Sequence, residues 1–394
     1  MKKRIYIFTG KGGVGKTSVA AAHAMKSAGD GHKTILVSTD MAHNLGDLFE
    51  IQMGREPKYI TDNLDAYEID PEYVMEHDFS SIMKSLNEFF PQGEGISLAD
   101  YGMLPGMEEL FALLKINEIY QNGAYERIIV DCAPTGETLT LLKFPELLSW
   151  YMEKLFPVGK VAVKVLSPIA KQLYKVELPN RAAMNDIEKM YLKFYELQEL
   201  LKNRETTSVR LVALSEKMVV EETKRNYMYM NLYNYNVDGL YINRILPDNL
   251  ENPFFDEWLK IQHKYKEQLY ESFAAVPIYE IPWYDEEVRG MKAVNRICSD
   301  ALTGDDVFEA REITQRESFE QNSKGYMLKL SLPFVEKSEV DLYRSDSEVV
   351  IKIGNFKRSI PLPNVLRTYV VASAKMENGI LNVQFEKGEM DYEQ

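Results

Sequence analysis

One stretch constrains the chain before anything else: Gly10-Lys11-Gly12-Gly13-Val14-Gly15-Lys16-Thr17, a G-x-x-x-x-G-K-[ST] loop. It lies between residues 4–9, which read as a short buried strand, and an alanine-rich stretch with helical character from about Lys16 to Ala28. A strand feeding a glycine loop that opens a helix is the context in which this loop wraps phosphate. The glycines let backbone N–H groups turn inward, Lys16 can reach the terminal phosphates, and the Thr17 hydroxyl can meet Mg²⁺ at a helix N-terminus that favours anions. Gly12, Gly13, Val14, Gly15, Lys16, Thr17 and Ser18 are therefore read as the nucleotide-binding run, with ATP and Mg²⁺ as ligands.

The pattern continues down the chain. Thr34–Ser38 reads as a second strand, Arg127–Val130 as a third that ends on Asp131, and Val209–Leu214, Val237–Ile242 and Val276–Ile281 as further strands. Helical stretches at 71–90, 107–121, 181–204, 217–234 and 285–301 separate them. This order predicts an α/β fold of the P-loop NTPase kind over residues 1–303, with a mainly parallel sheet and an inserted α-helical subdomain at about 71–121 and 139–204. The character then changes. Residues 304–323 are polar and read as a linker, and residues 324–388 carry short alternating strands separated by turns such as Gly354-Asn355 and Asn378-Gly379. That spacing predicts a C-terminal all-β sandwich, followed by a short acidic tail, 389–394.

A formal charge of −14 argues against general nucleic-acid binding, which needs a basic stripe. No apolar run approaches the ~20 residues that span a bilayer, and the basic start leads straight into a strand and glycines rather than a signal peptide. A cytoplasmic protein with no nucleic-acid partner and no direct membrane span is expected. The two cysteines, Cys132 and Cys298, form no C-x-x-C pair.

Two acidic segments complete the candidate site. Asp40, in Ser38-Thr39-Asp40-Met41-Ala42-His43-Asn44-Leu45-Gly46-Asp47, follows the second strand and is the candidate for orienting or deprotonating the attacking water. Asp131 follows the third strand, where a carboxylate can hold Mg²⁺ through water. Pro134 and Gly136 suit a loop that moves when phosphate leaves, and His43 is read as a support for its own loop. Lys11 makes the phosphate loop resemble the deviant form found in dimeric ATPases, in which this lysine reaches the nucleotide of the partner subunit. That resemblance implies a homodimer and a catalytic Lys11 acting like an arginine finger.

Taken together, GKGGVGKT, STDMAHNLGDLF, DCAPTGETLTLL and PWYDEEVRG resemble the arsenical-pump ATPase family, which includes the cytosolic factor that delivers tail-anchored membrane proteins. The resemblance covers about residues 3–303. It implies that Asp40 is catalytic, that Glu216 and Asn243 contact nucleotide with Asn243 at the adenine, and that Pro282 and Trp283 pack beside the base. It also implies that the apolar residues of 86–119 and 139–178 line a groove for a hydrophobic client helix. The tail-anchored factors of fungi and animals share zinc through a C-x-x-C pair; none follows Asn243, so no zinc is expected. Two isolated cysteines do not rebuild the three-thiolate arsenite site. Met41 replaces a usual proline and Glu137 a usual histidine. The sandwich resembles the α-crystallin-like domain of small heat-shock proteins through Leu330-Ser331-Leu332-Pro333 and Gly379-Ile380-Leu381.

The expected function is Mg²⁺-dependent ATP hydrolysis by a dimeric switch that binds and releases hydrophobic protein segments, for targeting or chaperoning. The alternatives are a catalytic subunit energising an anion or arsenite pump through a membrane subunit, a partitioning-type regulatory ATPase, an electron-donating iron–sulfur ATPase, and a scaffold that binds nucleotide without hydrolysing it.

Overall fold

The computed structural model describes residues 3–40, 44–80, 107–132, 186–309, 311, 317–345 and 348–387. Met41, His43, Pro134, Gly136, Glu137 and most of the expected client groove lie outside the described residues. The described chain divides into two compact units. One takes residues up to 132, 190–226 and 235–311, and the other takes 227–234 and 317–387 with a few residues around 186–189.

The first unit is built on an eight-stranded sheet in the order β3-β4-β2-β5-β1-β6-β7-β8. Its strands are β1 Arg4–Thr9, β2 Thr34–Ser38, β3 Lys58–Thr61, β4 Leu64–Glu68, β5 Arg127–Asp131, β6 Thr207–Ala213, β7 Val237–Ile245 and β8 Ile278–Pro282. All neighbours pair in parallel except β3 with β4. The helices are α1 Lys16–Gly29, α2 Asn44–Phe49, α3 Pro71–His77, α4 Met107–Asn122, α5 Asp186–Lys202, α6 Lys217–Leu232, α7 Asp256–Ser272 and α8 Gly290–Ala301. β1 is buried along its whole length, as a strand covered on both faces must be. Because the strands run parallel, their carboxyl ends meet along one edge, and that edge is where an open α/β sheet binds its ligand. Of the expected groove residues that are described, Leu110, Phe111, Leu113 and Leu114 are buried in α4.

Several expectations needed correction. The strand pair β3–β4 and the helices α2 and α7 were not anticipated. The helix expected from Asp285 begins at Gly290 instead. Arg289 before it is extended, and Gly290 has a positive φ of 74° that restarts the chain. The polar stretch expected as a linker contains β9 Glu317–Asn322, which pairs antiparallel with the following strand.

In the second unit, β9, β10 Gly325–Ser331, β14 Tyr369–Glu377 and β15 Ile380–Lys387 form one antiparallel sheet. β11 Val340–Arg344, β12 Glu348–Ile353 and β13 Phe356–Pro361 form another. Period-two burial marks the inner face, with Leu328 and Leu330 on β10 and Leu381, Val383 and Phe385 on β15. Asn378 and Gly379 both take positive φ, the hairpin turn that an Asn-Gly pair specifies. Residues 227–234 belong to this unit. The Tyr233 hydroxyl donates to the Lys357 carbonyl over 2.9 Å, and the Arg358 guanidinium donates to the Leu232 carbonyl and to Glu317.

A buried polar chain ties α1 to the sheet of the first unit. Nδ1 of His23 lies 2.7 Å from the Val19 carbonyl and Nε2 lies 2.9 Å from the Tyr241 hydroxyl. A carbonyl only accepts, so Nδ1 carries the proton and Nε2 accepts from Tyr241, whose oxygen in turn accepts from Arg210 over 2.9 Å. This direction of the Tyr241 bond goes with a neutral imidazole, the form that complete burial favours. Burial first, and then the Arg210 charge, hold its pKa well below 6.5, against a small opposing contribution from the Val19 bond. A depressed histidine pKa means that the unfolded chain takes up the proton before the folded one does, so stability drains away as pH falls below 6.5. The melting temperature of the wild type is expected to drop more steeply between about pH 6.5 and 5 than that of His23→Gln. Parallel slopes in thermal melts would rule this out.

Candidate functional site

The phosphate loop is shaped from behind. A Cβ at Gly10 would come within 2.2 Å of the Val212 carbonyl on β6, so only glycine lets the loop leave β1 this close to its neighbour. Gly13 and Gly15 have φ of 82° and 90°. A Cβ at Gly15 would also meet Nδ2 of Asn243 at 2.3 Å. That amide donates to the Val14 carbonyl over 2.8 Å, and its oxygen accepts from the Arg244 N–H over 2.9 Å. Asn243, expected at the adenine, thus has its amide engaged with the loop and with its own strand.

α1 begins at Gly15 with no side-chain cap and no acidic residue in its first turn, which leaves the positive end of the helix to an anion. Lys16 is buried, with its ammonium 3.5 Å from the Lys11 carbonyl. The loop opens on a cleft of about 630 Å³ whose walls include Gly12, Gly13, Gly15, Lys16, Thr17, Ser18 and Asp40. Asn44, Asp47, Arg244, Glu287 and Arg289 also line it, and none of these was singled out from the sequence. Each nevertheless falls in or beside a motif that was: Asn44 and Asp47 follow Asp40, Arg244 follows Asn243, and Glu287 and Arg289 close PWYDEEVRG.

Asp40 is half-buried at the cleft. Its backbone N–H donates to the Ser38 hydroxyl over 3.2 Å, and its carboxylate accepts from the Asn44 amide over 3.1 Å. Asp131 ends β5, between β1 and β2, and is 1% exposed. One of its oxygens accepts from the Thr17 hydroxyl over 2.7 Å, and the other is buried with no hydrogen-bond partner among the described residues. Burial raises the Asp131 pKa to about 7, opposed by the Thr17 bond and Lys16 and reinforced by Asp40. A buried oxygen without a donor, next to a hydroxyl at the mouth of a phosphate loop, fits a hydrated divalent cation.

The remaining sequence candidates stand elsewhere on the carboxyl edge. Lys11 turns to α6, where its ammonium lies 3.0 Å from the Glu222 carboxylate. Glu216 is exposed just before α6. Pro282 ends β8 and Trp283 follows it, with Trp283 53% exposed and its backbone N–H donating to the Ile245 carbonyl over 2.8 Å. These four do not line the cleft. Neither cysteine is poised as a thiolate. Burial pushes Cys132 to about 12 and Cys298 to about 11, and the Cys298 thiol donates to the Ala22 carbonyl over 3.0 Å.

Two outcomes follow from this geometry. Gly15→Ala combines a positive φ with the Asn243 contact. It is expected to weaken nucleotide binding by about tenfold or more in calorimetric titration, given the cost of such strain. Unchanged affinity would exclude the role given to the Gly15–Asn243 contact. The second outcome concerns Asp131 in metal-free protein. A carboxyl raised above its usual 3.8 keeps its proton in the folded state up to about pH 7 while the unfolded chain releases it near 3.8, so its contribution to stability is fully present below 3.8 and is lost progressively as pH rises to about 7. In EDTA, the melting temperature of wild type relative to Asp131→Asn is expected to fall as pH rises from about 4 to about 7 and to stay level above that. With Mg²⁺ and nucleotide added, only wild type should gain the further metal-dependent rise.

The chain matches the family described as Anion-transporting ATPase over residues 3–303 and the HSP20-like domain found in ArsA over residues 323–385. It is 35% identical to a Chlorobaculum tepidum protein that carries the provisional name arsenical pump-driving ATPase, over 97% of this chain and 96% of that protein. A protein of the same provisional name from Aquifex aeolicus is 34% identical over 95% and 98%. Arabidopsis thaliana ATPase GET3B is 29% identical over 74% of this chain and 77% of its own length. Among the described residues no helix is long and apolar enough to cross a membrane. With the phosphate loop, its helix and the two carboxylates already in place at the sheet edge, these likenesses make the chain an ATPase of the ArsA family with an HSP20-like C-terminal domain.

Proposed function

We propose that the chain is a Mg²⁺-dependent homodimeric switch that couples ATP hydrolysis to binding and release of hydrophobic protein segments. The observation that carries the switch reading is the bond between Asp40 and Asn44, the first residue of α2. The carboxylate read as the group that meets attacking water is joined directly to the start of a separate helix. Whatever changes at Asp40 when phosphate leaves is passed to α2.

The roles follow from the site. The loop N–H groups, Lys16 and the start of α1 bind the phosphates, and Asn243 keeps the loop in shape. Thr17 and Asp131 hold the metal, Asp131 through water. When bound there, Mg²⁺ would supply neutralisation of phosphate charge. Asp40 orients the water and draws its proton. Lys11 leaves Glu222 and stabilises charge at the nucleotide of the partner subunit. Glu216, Pro282 and Trp283 serve the base side of the nucleotide.

The targeting reading is supported by the motif resemblance to the tail-anchored factor and by the likeness to ATPases named GET3B and get3. The second reading, a subunit that energises an arsenical pump, is favoured by the names of the Chlorobaculum tepidum and Aquifex aeolicus relatives, which align along nearly the whole chain. It is disfavoured by two cysteines whose thiols burial keeps protonated. Asp40→Asn is expected to lower the hydrolysis rate by about 10²-fold or more, with ATP affinity kept. Co-purification with this ATP-trapped variant is expected to recover hydrophobic polypeptides. An undiminished rate would remove Asp40 from catalysis, and arsenite-stimulated hydrolysis with no recovered polypeptide would move the assignment to the pump.

A further inference from the structure

The last residue of β4, Glu68, lies outside every motif named above. It is the parallel register partner of Ser38, two residues before Asp40. It is 7% exposed. A carboxylate is kept in such a place only if strong donors repay its lost hydration. One oxygen of Glu68 accepts both the Leu45 N–H, at 2.8 Å, and the Gly46 N–H, at 3.0 Å. These are the N–H groups of the first turn of α2, which no intrahelical carbonyl can satisfy. The next residue, Ile69, donates its N–H to the Ser38 carbonyl over 3.0 Å.

The end of β4 therefore grips both flanks of the Asp40 segment. Before Asp40, Ile69 holds Ser38, and the Ser38 hydroxyl holds the Asp40 N–H. After Asp40, Glu68 anchors the start of α2, and Asn44 at that start holds the Asp40 carboxylate. We propose that Glu68 is a positioning residue for Asp40: by capping α2 it fixes where Asn44 presents the Asp40 carboxylate to the cleft. The inference rests on the reading that Asp40 acts in hydrolysis.

Removing the cap leaves two N–H groups unpaired and α2 free to shift, while the phosphate loop, Lys16 and Thr17 keep their own supports. The expected signature is thus a loss in kcat without a loss in ATP affinity. Glu68→Ala is expected to lower kcat by about tenfold or more with KM within about twofold. Glu68→Gln, whose amide oxygen can still accept both bonds, should recover most of the rate. In an Asp40→Asn background, Glu68→Ala should cause no further loss, because the group it positions is gone. Hydrogen exchange across residues 44–49 should speed up in Glu68→Ala and not in Glu68→Gln, a readout independent of catalysis. If Glu68→Ala proves too unstable to assay, Asn44→Ala breaks the same chain nearer its end and carries the same expectation, a lower kcat at unchanged KM.

A folded Glu68→Ala with full kcat, or an Asn44→Ala with full kcat, overturns the inference. Equal loss in Glu68→Ala and Glu68→Gln together with a raised KM also overturns it, since that marks a general structural role. The underlying reading fails separately and visibly: Asp40→Asn alone would then hydrolyse ATP at the wild-type rate, whatever Glu68 does.

Discussion

A side-chain amide two strands away keeps the phosphate loop open. Asn243 on β7 reaches past β6 to the Val14 carbonyl, and so fixes the turn through Gly13 and Gly15 that aims the loop N–H groups at the cleft. Without that bond, a run of four glycines in six residues would lose much of its order, because glycine has the most conformational freedom to give up. The same strand holds α1 a second time. Tyr241 lies two residues before Asn243, on the same face of β7, and its hydroxyl donates to His23 on α1. The loop and its helix are thus registered against β7 at two points, although the loop itself grows out of β1.

This second anchor rests on charges that the fold has taken out of water. Arg210 is 2% exposed, donates to Tyr241, and lies 3.4 Å from Asp238, close enough for an ion pair though not aligned as a hydrogen bond. Asp238 also accepts from the Ser208 hydroxyl over 2.5 Å, which in turn accepts from Arg4. Such a network does little for net stability compared with apolar packing of the same volume. It does restrict geometry, since each member has few other partners in the interior. It joins the amino-terminal halves of β1, β6 and β7, and reaches the helix of the phosphate loop through Tyr241 and His23.

The sequence made the loop, the parallel order and the two acidic strand ends legible because each is local. β1 has the apolar centre Ile5-Tyr6-Ile7-Phe8, and Asp131 stops the run Ile128-Ile129-Val130. What escaped notice depends on partners far along the chain. β4 reads as Leu64-Asp65-Ala66-Tyr67-Glu68, two carboxylates in five residues, and becomes a strand only because β2 pairs with it and α2 receives its last carboxylate. α2 has six residues, too few for a helical period to show. β9 carries the polar run Glu317-Ser318-Phe319-Glu320-Gln321-Asn322 and is recruited by β10. Asn243 was visible as a site residue, yet its bond to the loop could not be read from a spacing of 229 residues. At its far end α2 is followed by Glu50, which pairs with Arg289 over 2.9 Å. A residue of the cleft wall thus meets, at the exposed surface, the residue that follows the short helix carrying Asn44.

Lys11 shows why the contacts of an isolated chain need not fix the function of a residue. Its partner Glu222 is 24% exposed and Lys11 itself 35%, so the pair keeps part of its hydration and is worth on the order of 1 kcal/mol. A bound triphosphate presents several negative oxygens in a site shielded from water, where a charge-assisted bond to an ammonium is stronger. On the reading proposed above, exchanging Glu222 for phosphate favours the nucleotide-bound arrangement, and the cost of releasing Lys11 is small. Lys16 differs. It is 7% exposed beside the loop backbone and has no comparable distance to travel. One lysine is thus built into the cradle and the other is held loosely on a neighbouring helix, as a charge that acts only when a second surface approaches would have to be.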